Sequence, residues 1–395
     1  MDHTSLPSIL LGTFECLPCA RERILGTTMS SPCQSPSRPL HEVLPQVILG
    51  GAGFSDQLHP DPSSLPARQI VQEAFKLGFR AFDTSPYYGD SERILGDALA
   101  QPEIARQYKR EDYLLMTKCG RISSDKFDYS PEWIRKSIET SLSNFETTYL
   151  DVVFCHDAEF LPAAQVMTAV STLYELVVEG KVRYVGISGY PLETLASLAS
   201  ESKKVHGRPL DLIQAWGQLT LQNSRLATVG LPALLDSGVR CICSSSPLAI
   251  GLLRKEGVPV GTRGDWHPAP PDLRKAASVA AEEMDGRGQK LSTIALRHAL
   301  FRSLDLSTDT VRVSTIIGMG NLQELHDNRA TIRSVFTSDD ATTQALAGPE
   351  RSEARDQTGY LDNIDRDRYA LDSSLVETVQ KTLGPWIDYS FGDPA

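Results

Sequence analysis

Asp83, Tyr88, Lys118 and His156 carry the side chains needed to move a proton without a metal. A phenol with an ordinary pKa of about 10 is a poor acid or base at neutral pH unless a cation stabilises its phenolate. Lys118 supplies such a cation, and Asp83 can hold and aim the ammonium through a charge-assisted hydrogen bond. His156 would then orient a reacting oxygen beside Tyr88. Each residue alone has a plainer reading, as a turn cap, a solvated lysine or a structural histidine. Together they form a metal-free proton relay, provided the fold brings them to one place.

From Val47 to about residue 334, short apolar runs alternate with amphipathic ones, the rhythm of βα units. Strands are predicted at 47–50, 80–83, 113–118, 151–155, 182–187, 212–215, 239–243 and 313–317, each followed by at least one helix. Eight such units predict an α/β fold, a closed (β/α)8 TIM barrel, in which reactive residues belong at the C-terminal strand ends. Asp83 closes the second strand, Tyr88 lies in the loop after it, Lys118 closes the third, and His156 follows the fourth. Ser130-Pro131-Glu132 places a capping hydroxyl, a first-turn proline and an acid in helix-opening order. The helix it opens, 131–146, aligns Trp133, Ile134, Ile138, Leu142 and Phe145 in one stripe. Two helical stretches, 271–286 and 291–302, separate strands seven and eight. A doubly wound sheet is disfavoured, because Gly51-Ala52-Gly53 is followed by Asp56 where a dinucleotide fingerprint needs its third glycine.

Of the 395 residues, 1–42 are rich in Ser, Pro and Thr without periodicity and read as a disordered extension. The barrel is expected over 43–337, a mobile charged insertion over 338–370, and a C-terminal helix, near 373–384, and tail within 371–395. A net charge of -11 with scattered basic residues argues against nucleic acid or an anionic membrane as partner. No apolar run spans a bilayer and no secretory signal opens the chain, so a soluble, cytoplasmic protein is expected. Seven cysteines in so long a chain do not make a disulfide framework, and Cys16 and Cys19 lack the further ligands of a zinc site, so no metal is expected.

The segments FDTSPYYGDSERILG, LLMTKCG, LDVVFCHD, GISG, SPLAIGLL and IIGMGNLQELHDN resemble, in order and spacing, the aldo-keto reductase superfamily over roughly residues 45–334. The resemblance implies the (β/α)8 barrel, a catalytic tetrad of Asp83, Tyr88, Lys118 and His156, and NAD or NADP lying extended across the barrel mouth. It implies that Ser188 and Gln214 hold the nicotinamide carboxamide, with Gly189 where relatives usually have Asn. Gly51 and Ala52 fall near the cofactor, Ser246, Pro247, Leu248 and Gly251 along its pyrophosphate, and Gly318, Met319, Glu324, Asp327 and Asn328 around its adenosine. Ser245 stands where many relatives stack an aromatic ring on the nicotinamide, leaving Trp216 as a substitute or as core packing. Gly318 and Glu324 replace the basic residues that NADP-preferring relatives place at the 2′-phosphate, which points to NAD.

Within the superfamily, GGAGF, SGY and SSSPLAIGLL are similar to the aldose 1-dehydrogenases of the D-arabinose and L-galactose group. The implied reaction is NAD+-dependent oxidation of the anomeric carbon of an aldose to an aldonolactone, with Tyr88 as phenolate base and Phe54, Trp133 and His156 contacting the sugar. The same tetrad would serve an NADPH-dependent aldehyde or ketone reductase, and a regulatory barrel that binds cofactor without turnover is a third reading.

Overall fold

Eight short parallel strands pair edge to edge until the last meets the first, closing a barrel in the order β1 to β8. They are β1 (Val47–Gly50), β2 (Ala81–Asp83), β3 (Leu114–Cys119), β4 (Leu150–Cys155), β5 (Val182–Gly189), β6 (Leu212–Trp216), β7 (Cys241–Ser245) and β8 (Arg312–Gly318). Around them run α1 (Ala67–Lys76), α2 (Ser91–Leu99), a single turn α3 (Pro102–Ala105), α4 (Pro131–Asn144), α5 (Ala163–Val178), α6 (Leu192–His206) and α7 (Leu231–Asp236). The C-terminal third adds α8 (Pro271–Gly286), α9 (Leu291–Asp305), α10 (Leu322–Arg333), α11 (Asp339–Ala347) and α12 (Arg366–Leu383). This computed structural model describes residues 38–261, 264–318, 320–348 and 359–391, all within the unit Pro32–Ala395. All eight predicted strands are present, and the fold is the predicted (β/α)8 barrel.

Side-chain alternation along the strands separates two cores. Ile48, Ala81, Met116, Val152, Phe154, Tyr184, Leu212, Cys243 and Ile316 fill the barrel interior. Their neighbours Leu49, Phe82, Leu115, Val153, Val185, Ile213, Ile242 and Ile317 face the helices. The next inward positions toward the strand ends are Asp83 after Ala81, Lys118 after Met116, His156 after Phe154, and Gln214 after Leu212. The period of two that builds the core therefore also carries polar groups to one mouth.

The α4 stripe packs as predicted through Ile134, Ile138 and Leu142, with Ser130 Oγ accepting from Trp133 N–H at its N-terminus. Trp133 itself is half-buried in the first turn, with Lys136 Nζ 5.3 Å from its ring centroid.

Two segment boundaries differ from the sequence reading. Leu40 and Leu44 are buried in the barrel's inner cluster, so packed structure begins before residue 43. Two well-spaced apolar residues suffice to close a floor, a signal too short for periodicity to register. The remainder of the N-terminal extension, with Cys16 and Cys19, lies outside the described residues.

Of the span 338–370, residues 349–358 are likewise outside the described set, and what flanks them is helical. Ser338 caps α11 by accepting from Ala341 N–H, and α11 buries Ala345 and Leu346. Asp365 caps α12 by accepting from Arg368 N–H, which starts that helix earlier than residue 373. The charges in this stretch find partners far away in sequence. Asp372 is buried between Arg297, at 2.6 and 3.0 Å, and Arg368, at 2.7 Å. Through it α12 is anchored to α9, while Val379 and Leu383 join the apolar cluster of Ala280, Met284 and Ile294. Removing one partner of a buried ion pair typically costs about 3–5 kcal/mol, whereas replacing the pair with apolar residues is often neutral. Asp372→Ala is expected to lose stability of that order in urea unfolding, and Arg297→Met with Asp372→Leu to recover most of it; a single-variant loss below about 1 kcal/mol would show the pair to be dispensable.

Candidate active site

The inward register places Lys118 and Asp83 on neighbouring strands, with Asp83 level with Met116 in the β2–β3 pairing. Lys118 Nζ donates to both Asp83 oxygens, at 2.8 and 3.0 Å, and to the Thr84 carbonyl at 2.9 Å, so its three N–H bonds are all used. Burial alone would lower the lysine, but Asp83 and Tyr88 hold it above its usual range, so it remains an ammonium. The strand beneath is braced by Glu92 of α2, whose carboxylate accepts from Thr117 at 2.6 Å, Ser141 at 2.7 Å and Asn144 at 3.0 Å.

Tyr88 lies half-buried with Lys118 Nζ 5.1 Å from its ring centroid. The His156 ring meets it edge-on at 5.9 Å. The tetrad expected from sequence is therefore one spatial unit.

Burial raises the Tyr88 phenol above its ordinary value, and the opposing pull of Lys118 does not reverse this. Tyr88 therefore rests as a phenol, a ready proton donor, and would have to lose its proton before acting as the base of an oxidation. His156 is pushed down to about 3 by burial and is neutral at physiological pH. It can therefore act only by hydrogen bonding and not by charge, and its Nδ1 pairs with Ser85 Oγ at 3.1 Å.

Several neighbours escaped the sequence reading. Besides Ser85, the ring of Tyr87 sits 5.6 Å from His156, and the Arg121 guanidinium lies 4.1 Å above Tyr87. Arg121 is ion-paired with Asp157, whose carboxylate also lies 3.6 Å from His156 Nε2. Glu159 accepts from Tyr190 N–H at 2.9 Å, and burial together with the Asp157 charge pushes it up to about 7. The available signals were local: Ser85 and Tyr87 share the Asp83–Tyr88 segment, and Asp157 follows His156 directly. Arg121 and Glu159 carried none, since only through-space contact joins them to the site.

Of the expected cofactor residues, Ser188 and Gln214 are register partners at the ends of β5 and β6. Gln214 Nε2 lies 3.4 Å from Asp83, which fixes the amide beside the tetrad, and its Oε1 is buried without a donor. An orphaned acceptor next to Lys118 and Tyr88 fits the amide of a nicotinamide ring. Gly51 and Ala52 form a short turn after β1, with the Gly51 carbonyl accepting from Ser91. After β7 the chain folds into a tight left-handed series, with positive φ at Ser246, Ala249, Ile250 and Gly251, around Pro247 and Leu248. Glu324 receives N–H bonds from Gly320 and lies 4.0 Å from Arg254, while Asn328 donates to the Gly318 carbonyl and Asp327 pairs with Lys290. Met319 lies outside the described residues. Arg254 was not foreseen, and it brings a cation to the carboxylate on which the NAD argument rested.

One other expectation shifts, and an open alternative narrows. Phe54 is fully buried in the outer core, because its short helical turn folds the ring back toward Leu49 and the helices, so it presents no surface to a substrate. Trp216 packs against Tyr190 at 4.3 Å and Phe391 at 6.1 Å, joining an aromatic cluster with the C-terminal tail. Among the described residues no His, Cys, Asp and Glu cluster could hold a metal, and no helix is long and apolar enough to cross a membrane.

Residues 46–345 match the model of the Aldo/keto reductase family. The chain belongs to the aldo-keto reductase family. Among its curated relatives is D-arabinose 1-dehydrogenase of Saccharomyces cerevisiae, 32% identical over 293 residues, covering 73% of this chain and 84% of that protein. L-galactose dehydrogenase of Arabidopsis thaliana is 37% identical over 265 residues, covering 66% and 76% respectively. An NADH-specific methylglyoxal reductase of Escherichia coli is 28% identical over 218 residues, covering 49% and 61%. This aldo-keto reductase is therefore an oxidoreductase, of a family that generally binds a nicotinamide dinucleotide and acts on small molecules.

We propose Tyr88 as the acid–base group of this oxidoreductase, and its raised pKa then dictates the expected pH behaviour. Below that pKa the phenolate fraction grows about tenfold per pH unit. Alcohol oxidation should therefore climb toward alkaline pH with a slope approaching 1 in log kcat/KM, while carbonyl reduction, which draws on the nearly constant phenol fraction, stays level until the pKa is passed. An oxidation profile flat between about pH 7 and 9 would remove Tyr88 as the titrating group.

Proposed function

We propose that this chain oxidises the anomeric carbon of a free aldose, D-arabinose-like or L-galactose-like, to an aldonolactone with NAD+. One observation carries the reading: the Tyr88–Lys118–Asp83 relay is bordered on its His156 side by the Arg121–Asp157 pair. A cation and a carboxylate fixed together present both donors and acceptors, which suits a ring bearing several hydroxyls better than an apolar carbonyl compound. The names of the two sugar dehydrogenases among the relatives agree with it.

In this reading Tyr88, ionised by Lys118's support, takes the proton of the C1 hydroxyl, and neutral His156 holds the same oxygen by a hydrogen bond. Ser85 keeps the imidazole oriented. Bound nicotinamide supplies the hydride acceptor. Ser188 and Gln214 would hold its carboxamide, the loop from Ser246 to Gly251 its pyrophosphate, and Glu324, Asp327 and Asn328 its adenosine side. Trp133, half-buried at the start of α4, remains the outer candidate for sugar contact. The four described cysteines, Cys119, Cys155, Cys241 and Cys243, are buried free thiols, which suits a reducing, cytoplasmic setting.

Incubating the purified chain with a panel of aldoses and NAD+ should yield reduced cofactor with at least one pentose or hexose. Tyr88→Phe should fall by several orders of magnitude; loss of a positioned acid–base alone removes about 10²–10⁴-fold. No turnover above the Tyr88→Phe control with any aldose would end the sugar assignment.

Arg254 supports a second reading, an NADPH-dependent reductase of aldehydes or ketones, since a half-exposed guanidinium beside Glu324 can meet a 2′-phosphate. Binding titrations with NAD+ and NADP+ separate the two. Under the leading reading NAD+ binds more tightly and Arg254→Ala leaves NADP+ affinity nearly unchanged. Tighter NADP+ binding that drops about tenfold in Arg254→Ala, the effect of losing one charge-assisted contact, would favour the second.

A further inference from the structure

We propose that Glu159 is a third group holding the nicotinamide carboxamide, alongside Ser188 and Gln214, in space that Gly189 leaves open. The inference rests on the nicotinamide reading above and adds a residue to it. The ring's C4 would exchange hydride with the substrate carbon whose oxygen Tyr88 serves, so the carboxamide on the adjoining C3 would lie within reach of groups near the tetrad. A primary carboxamide has two N–H donors and one carbonyl acceptor.

The molecule offers a matching set at the ends of β4, β5 and β6. Gln214 Oε1 and Glu159 Oε2 are both buried oxygens with no donor. Ser188, register partner of Gln214, carries a hydroxyl whose contacts to Asp157 N–H at 3.4 Å and the Cys155 carbonyl at 3.5 Å are both long. Two orphaned acceptors suit the two amide hydrogens, and the hydroxyl suits the amide carbonyl.

Gly189 explains why a glutamate can take this place. It ends β5 in ordinary strand conformation, outside the left-handed region where glycine is needed for backbone reasons. What demands a glycine is space: a Cβ there would overlap the Glu159 carboxylate. Glu159 is fixed at its other oxygen by Tyr190 N–H at 2.9 Å. A residue with a side chain at 189 and Glu159 in its present position are mutually exclusive. The sequence places the polar group on the β4–α5 loop in place of the strand.

The test compares two ligands by isothermal titration of the full chain: NAD+, or NADP+ if the wild type prefers it, and ADP-ribose, which keeps the adenosine and pyrophosphate but lacks the nicotinamide. Glu159→Ala should weaken the dinucleotide about tenfold, the loss of one or two hydrogen bonds, and leave ADP-ribose unchanged. Glu159→Gln, which keeps an acceptor oxygen, should stay within about threefold of wild type. Gly189→Asn should weaken dinucleotide binding in the wild-type background through overlap, yet restore it when combined with Glu159→Ala. Equal weakening of both ligands would make Glu159 only a brace for Tyr190 N–H, and unchanged dinucleotide affinity in Glu159→Ala would likewise overturn the proposal. A wild type that binds neither ligand overturns the nicotinamide reading itself, an outcome distinct from both.

Discussion

The buried ion pair between Lys118 and Asp83 is the constraint around which the mouth of the barrel is arranged. An ammonium withdrawn from water must have every N–H satisfied, and here two carboxylate oxygens and the Thr84 carbonyl do so. The pair spans β2 and β3, and its geometry is compatible only with the register that the backbone ladder of the closed barrel gives them. Gln214 joins the same carboxylate from across the barrel at 3.4 Å. In the proposed reaction, preorganisation of this kind would let charge develop without rearranging the site.

Burial acts on the two titrating members in opposite chemical directions. It raises Tyr88 and lowers His156, leaving both neutral at rest. A neutral imidazole beside a protonated phenol is a pair of hydrogen-bonding groups that could share one oxygen of a substrate. The charged groups, Arg121 and Asp157, stand one layer further out and neutralise each other. Glu159, pushed up to about 7 by burial and the Asp157 charge, has a charge that is undecided at neutral pH.

The outer parts of the chain serve the barrel in a different way. The first described residues close its floor with Leu40 and Leu44, and α11 lies close by, the Ala345 carbonyl accepting from Gln46 N–H at 2.8 Å. The C-terminal helix covers α8 and α9, held by Asp372 between two arginines, and the tail that follows carries Phe391 to Trp216 and Tyr190. Segments that look polar and loop-like in sequence are structured here because their few apolar residues share one face and their charges are paired at long range.

Strand positions, the closed barrel and the identities of Asp83, Tyr88, Lys118 and His156 were legible in the sequence, because alternation with period two is local and determines both which residues point inward and which strand ends they occupy. The described flanks of segment 338–370 are helical where the sequence suggested a loop, and the ring of Phe54 is buried, since short helices docked through a few apolar residues and a single turn that turns a ring inward leave little periodic trace. The resting state of Tyr88, the arrival of Arg254 beside Glu324 and the exchange of space between Gly189 and Glu159 were decided only by the tertiary structure. Desolvation, ion pairing and steric exclusion depend on which atoms lie within a few ångströms of each other, and for residues on different strands and loops that is a property of the folded barrel alone.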